Sequence, residues 1–195
     1  KTVGNNAFER TSNLEAFDFP GSAETIGRNA FSDSSIKSID LSKIQIINIY
    51  AFSGCGQLET VILPDSVKRI GAQAFANCRK LNLRIPKYLE ELGSSSLYNI
   101  ASDTIIFPNS LKAYGLNGDN QDSWSSPSIC MPNLVYAEFP MTFHTAKYAS
   151  FFSYSTTPLK TVVLKSSTVI DGQYKENMFI EHKNANGTNT SKYGL

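Results

Sequence analysis

A two-residue phrase, Ala-Phe, recurs along this chain at Ala7-Phe8, Ala30-Phe31, Ala51-Phe52 and Ala74-Phe75, and weakens to Ser96-Leu97 and Ser150-Phe151. An apolar-Gly pair stands just before it, as Val3-Gly4, Ile26-Gly27, Ile70-Gly71 and Leu92-Gly93, with Ile47-Asn48 as a variant. Downstream, short alternating segments end in proline: FDFP at 17–20, VILP at 61–64, LRIP at 83–86, IIFP at 105–108 and AEFP at 137–140. IDLS at 39–42 and VVLK at 162–165 keep the alternation without the proline. Successive segments are separated by 22, 22, 22, 22, 32 and 25 residues. A step held four times over confines the chain to a stack of repeats.

The pattern dictates what one repeat does. Val61 and Leu63 point to one side of a strand and Ile62 to the other. Proline cannot donate to a sheet ladder, so Pro64 ends the strand and turns the chain. The next apolar pair, Val67 with Ile70 or Leu89 with Leu92, returns the chain to the core. The glycine that follows permits a close backbone approach or a positive φ. Ala-Phe is then expected to open a short helical turn, with Phe75 and Leu81 reaching inward. No rung can cover its apolar side alone, and stacking covers it with parallel strands about 4.8 Å apart. Seven such rungs would form a column on the order of 30 Å long.

Charge narrows the function classes. Of 195 residues, 18% are charged and the formal net charge is +1, which removes the main sequence argument for nucleic-acid binding, a mode that needs a concentrated basic surface. No apolar run approaches the roughly 20 residues of a transmembrane helix. No signal peptide is visible, and Lys1 opens in mid-motif, so the start is read as a boundary within a longer chain. Three cysteines without Cys-x-x-Cys spacing suggest neither a disulfide scaffold nor a metal site, and no cofactor is expected.

The segment LETVIL (Leu58, Val61, Leu63) fits the L-x-x-L-x-L signature of leucine-rich repeats. The fuller phrase, apolar-Gly-x-x-Ala-Phe-x-x-Cys-x-x-Leu, then strand, then Pro-x-x-Val, resembles the BspA-type leucine-rich repeat, closely over 2–115 and more loosely over 130–170. The resemblance implies an α/β solenoid, a curved stack of about seven rungs. A parallel sheet would line its concave side, and short helical turns or loops the other. It also implies a bacterial cell-surface or secreted setting and the binding of host, matrix or other surface proteins, with no catalysis. The solenoid is expected over 1–170, with an insertion at about 116–129 that reads as a polar loop. Residues 171–195 are either a polar cap or the start of a further, truncated repeat; STVIDG favours the latter. A monomer is expected, with end-to-end stacking of open solenoid ends as a further option.

In such a solenoid the outward strand positions form two columns. One runs Asp18, Asp40, Ile62, Arg84, Ile106, Glu138 and Val163; its neighbour runs Ala16, Ser38, Thr60, Asn82, Thr104, Tyr136 and Thr161. The candidate binding residues drawn from them are Asp18, Asp40, Thr60, Ile62, Asn82, Arg84, Ile106, Tyr136 and Glu138. Their mixture of apolar and polar side chains suits a protein ligand. Asp18 and Asp40 would lie about one strand spacing apart, close enough to hold a cation or share a proton, or else simply a solvated, mildly repulsive pair. A cation there would fit carbohydrate recognition, and a chain with no ligand on these rungs would be a structural spacer. Trp124 is either a loop anchor for a partner or a ring that fills space left by the missing Ala-Phe. Cys55, Cys78 and Cys130 fall in about one column; they read as small buried side chains, with a Cys55–Cys78 bridge as the alternative. His144 and His182 form no recognisable triad with a serine and a carboxylate. Asn186 and Asn189 fit the glycosylation pattern that polar tails also match by chance.

Overall fold

The structure, a computed structural model, describes residues 1–19, 23–116, 131–140 and 158–164. Its strands are short, all paired in parallel, and distributed over three sheets. Numbered in chain order, β1 (Thr2–Val3), β3 (Thr25–Ile26), β5 (Ile46–Ile47), β7 (Arg69–Ile70), β8 (Glu91–Gly93) and β10 (Ala113–Leu116) form a six-stranded sheet. This sheet is built from the apolar-Gly phrases, which the sequence reading took only as a return to the core. The Pro-terminated segments form two separate three-stranded sheets. One contains β2 (Ala16–Phe17), β4 (Ser38–Asp40) and β6 (Thr60–Ile62). The other contains β9 (Thr104–Ile106), β11 (Tyr136–Phe139) and β12 (Thr161–Leu164). Together they make a leucine-rich-repeat-like β-solenoid of about five turns.

The expected helical turns do not form among the described residues, and the α/β reading gives way there to an all-β one. Each Ala-Phe pair sits between two left-handed residues, Asn6 and Arg10, Asn29 and Asp33, Tyr50 and Gly54, Gln73 and Asn77, and Ser96-Leu97 sits likewise between Ser95 and Asn99. A left-handed residue cannot continue an α-helix. Amide donors instead alternate between two acceptors. Phe31, Phe52 and Phe75 N–H donate to the next rung, at Ala51, Ala74 and Ser96 carbonyls (2.8, 2.8 and 2.9 Å). Ala30, Ala51 and Ala74 N–H donate three residues back, to Gly27, Asn48 and Gly71 carbonyls (3.3, 3.2 and 3.2 Å). The third side of the solenoid is therefore a staircase of turns knitted to its neighbours.

The core lies between these sides as rows of like residues. Phe31, Phe52 and Phe75 stack with ring centroids 5.2 and 5.3 Å apart and planes within 3°. Ile26, Ile47, Ile70 and Leu92 form a second fully buried row, aligned in register along the six-stranded sheet. Gly27 and Gly71 hold this sheet together because a Cβ there would stand 2.6–2.8 Å from the main chain of the rung before. Close approach, and not a positive φ, is what these glycines supply. Cys55 and Cys78 are buried free thiols whose Sγ atoms donate to Phe31 and Phe52 carbonyls at 2.9 and 3.1 Å. Burial pushes both thiols up in pKa, which keeps them protonated and unreactive. The alternative Cys55–Cys78 bridge is not formed.

Candidate functional site

The two outward columns lie on the Pro-terminated side. Asp18, Asp40, Thr60, Ile62, Asn82, Arg84, Thr104 and Ile106 are exposed, while Tyr136 and Glu138 are half-buried. Ile62 and Ile106, at 54% and 51% exposure, are the two most exposed large aliphatic side chains among the described residues. Tyr136 Oη donates to Glu138 Oε2 at 3.0 Å. Trp124, Cys130, His144, His182, Asn186, Asn189, nearly all of the 116–129 insertion and the 171–195 tail lie outside the described residues.

Asp18 and Asp40 both line a 180 Å³ pocket with Phe17, Phe19, Ser42 and Lys43. Asp40 Oδ1 accepts the Ser42 N–H at 2.8 Å, so that carboxylate is partly engaged by its own turn. Among the described residues no group of three or more His, Cys, Asp or Glu side chains is placed to hold a metal ion.

The larger feature is a break in the outward sheet. The sequence reading places a strand at LRIP, 83–86, yet this rung pairs with neither β6 nor β9. Its cause is one missing residue. The buried Leu58 precedes Pro64 by six positions, whereas the buried Leu81 precedes Pro86 by five. Two exposed residues, Glu59 and Thr60, separate Leu58 from Val61, but Asn82 alone separates Leu81 from Leu83. The shortened rung cannot hold ladder register with its neighbours, because side chains must still alternate in and out. One amide of the broken rung is repaired locally. Leu83 N–H donates to Ser102 Oγ at 2.8 Å, and Ser102 is fully buried where the preceding rungs carry Leu58 and Ile36.

The break opens a groove of 440 Å³ lined by Asn82, Leu83, Arg84, Ile85, Lys87, Thr104, Ile106 and Pro108. Leu83 and Ile85 are buried beneath it and Ile106 projects from its far wall. Arg84 Nη2 donates to Asp65 Oδ1 at 2.8 Å, and Lys87 N–H reaches the same oxygen at 3.1 Å. The Lys87 amide, and after it the Arg84 guanidinium, hold the Asp65 carboxyl below the usual carboxylate range. The corner that carries both cations is thereby fixed. Asn82, Arg84 and Ile106 were in the candidate set; the groove that unites them was not, because a proline-to-proline step of 22 conceals the deletion. The shorter Leu-to-Pro distance is the signal that could have found it.

The six-stranded sheet presents a different outer surface. Lys68 and Lys112 both bridge Glu90, at 2.9 and 2.6 Å, and Arg69 bridges Glu91 at 3.3 Å. Opposite charges on adjacent strands of this kind favour one register and add little stability at the surface. Among the described residues no helix is long and apolar enough to cross a membrane.

Comparison with known proteins agrees with this geometry. The profile of the BspA type Leucine rich repeat region matches six copies over residues 1–117. A crystal structure of a leucine-rich repeat protein from Bacteroides ovatus is similar, with 21% identity and a TM-score of 0.51, over 91% of this chain and 56% of that one. A leucine-rich repeat protein from T. pallidum aligns at 18% identity and a TM-score of 0.47, over 84% of this chain and 65% of that one. The chain thus spans less than two thirds of either solved structure. No curated protein matches it in sequence.

Proposed function

The chain belongs to the BspA-type leucine-rich repeat family, and we propose that it is a non-catalytic module that binds another protein through its outward, Pro-terminated side. The observation that carries this reading is the pair Ile62 and Ile106, exposed on one face among the polar side chains Thr60, Asn82, Arg84 and Thr104. Water gains nothing from a regular apolar-polar mosaic on a solvated face, whereas a protein partner buries the apolar part and pairs the polar part. In the curved solenoid of the family this side is the concave one. The column continues through Tyr136, Glu138 and Val163 into the seven-rung stack over 1–170 that the sequence implies, with Trp124 in its insertion as a second contact. A bacterial cell-surface or secreted setting and an adhesive role go with the family. The module acts as a monomer.

The test is a pull-down against host, matrix and bacterial surface proteins, repeated with Ile62→Glu and Tyr136→Ala. Capture that weakens with these variants supports the reading. Capture indifferent to both removes the outward face as the binding surface, and a module that captures nothing is a spacer.

A further inference from the structure

The shortened rung is the place where the outward face departs from a regular ladder, and it combines three properties. Its floor is apolar, made by Leu83 and Ile85 with Ile106 and Pro108 opposite. Its ionisable lining residues, Arg84 and Lys87, are both cationic, and no carboxylate lines it. Its main chain enters no sheet, and among the described residues the N–H groups of Asn82, Arg84 and Ile85 and the C=O groups of 82–85 have no protein partner. A small apolar molecule would leave both the cations and these main-chain groups unmatched. A basic ligand would face like charge. An extended peptide brings main-chain donors and acceptors of its own, alternating side chains, and the freedom to carry acids.

We infer that the groove at Asn82–Lys87 and Thr104–Pro108 is an anchoring site for an extended, acidic segment of a partner protein. One apolar side chain of that segment packs against Ile106 and Pro108, and a neighbouring carboxylate pairs with Arg84 and Lys87. This rests on the reading of the outward face as the binding face and adds the position and chemistry of its anchor. The volume, 440 Å³, suits one or two side chains and not a folded domain. Arg84 is held by Asp65 through Nη2, which leaves its remaining N–H groups for a fork-like carboxylate contact.

The probes are three synthetic peptides of alternating residues, Leu/Asp, Leu/Lys and Ser/Asp, titrated against the 195-residue chain with backbone amide shifts followed by NMR. The Leu/Asp peptide is expected to bind best, to move the amides of 82–87 and 104–108, and to weaken as salt is raised from about 0.05 M to about 0.5 M. Ile106→Glu and Lys87→Glu are each expected to weaken it by about tenfold or more. Both residues lie at the surface, and far-UV circular dichroism verifies that the variants fold. Binding of the Leu/Lys peptide as tightly as Leu/Asp overturns the inference, as does the absence of binding by any peptide. Shifts confined to Thr60–Ile62 and Tyr136–Glu138 overturn the anchor while leaving the outward face as the binding surface. Shifts confined to the six-stranded sheet or the turn staircase overturn both.

Discussion

Gly71→Ala should separate close backbone approach from every other reason to place glycine in this repeat. A Cβ at Gly71 would stand 2.6 Å from Ile49 N, 2.7 Å from Asn48 C and 3.0 Å from Ile49 Cα, all main-chain atoms of the preceding rung. Ordinary carbon contacts lie near 3.5 Å, so the rungs must separate by about 1 Å. Two hydrogen bonds cross that gap beside the glycine. Gly71 N–H donates to Ile47 O at 2.7 Å and Tyr50 N–H to Ala72 O at 3.0 Å. Lengthened by that amount, neither is still a hydrogen bond. Leaving two buried pairs unmade costs about 1–3 kcal/mol each, before any loosening of the Phe52–Phe75 stack. The expected loss is therefore about 3 kcal/mol in urea denaturation followed by circular dichroism, with amide exchange accelerated at Gly71 and Tyr50. The internal control is Gly4→Ala, where a Cβ would meet nothing within 4 Å and the change should stay within about 0.5 kcal/mol. Asn48 shows how a side chain is accommodated in this row, since its Nδ2 donates to Ile26 O at 2.8 Å. If Gly71→Ala stays within about 0.5 kcal/mol of the parent, or Gly4→Ala costs as much, the close-approach argument fails.

Among the described residues Ser96 Oγ is a buried hydroxyl with no hydrogen-bond partner, in a row that the preceding rungs fill with Ala7, Ala30, Ala51 and Ala74, so Ser96→Ala should stabilise the fold by about 1 kcal/mol in the same denaturation assay. Any destabilisation would show that the hydroxyl is satisfied. Ser102→Ala should do the opposite, by about 1–2 kcal/mol, because it strands the Leu83 N–H, and exchange at that amide should accelerate. Hydrogen bonds from Lys112, and then Lys68, hold the Glu90 carboxyl down to about 2 from an ordinary 4.5. Its contribution to stability is present above pH 4.5 and is lost as pH falls through about 2. An NMR titration of the Glu90 carboxyl should give the low midpoint, rising with Lys112→Met and with added salt; an ordinary midpoint in the parent chain would mean the ion pairs do not form in solution. Thiol titration should find Cys55 and Cys78 unreactive in the folded chain and free in denaturant.

Much of the architecture was legible because a solenoid writes its core as columns. Val67 with Ile70, Leu89 with Leu92, and the row of Ala-Phe phenylalanines were assigned inward from spacing alone, and all of Val67, Ile70, Leu89, Leu92, Phe31, Phe52 and Phe75 are fully buried. What spacing could not supply was the conformation between the columns. A four-residue phrase such as Gln73-Ala74-Phe75-Ala76 carries helix-forming residues, and its local preference is overridden by carbonyls of the neighbouring rung. The left-handed positions that enforce this are held by Asn, Asp, Ser, Arg, Tyr and Gln as well as Gly, so no residue type announces them. The six-stranded sheet was hidden for a related reason. Several of its strands are only two residues long, too short for alternation to register as a pattern, and they exist because the stack supplies their partners.

The anchor was illegible in a more instructive way. In a stack of equal rungs the outward columns are translationally equivalent, so no rung has a reason to bind where its neighbours do not. Position-specific recognition needs a rung that breaks the translation. Here the break is a single absent residue between Leu81 and Leu83, and its consequences follow by geometry. The ladder lapses, Ser102 stands in place of an apolar core residue and satisfies Leu83 N–H, and Arg84 and Ile106 come to line one groove. Because the lesion is one residue long, repairing it tests its role. Inserting a threonine after Asn82 would restore the Leu-to-Pro distance of the preceding rung and should allow residues 82–85 to pair with β6 and β9. Amide exchange should then slow along that rung, with binding of the acidic peptide lost although every charged side chain of the groove is still present. If exchange slows and the peptide still binds, the break is incidental to recognition.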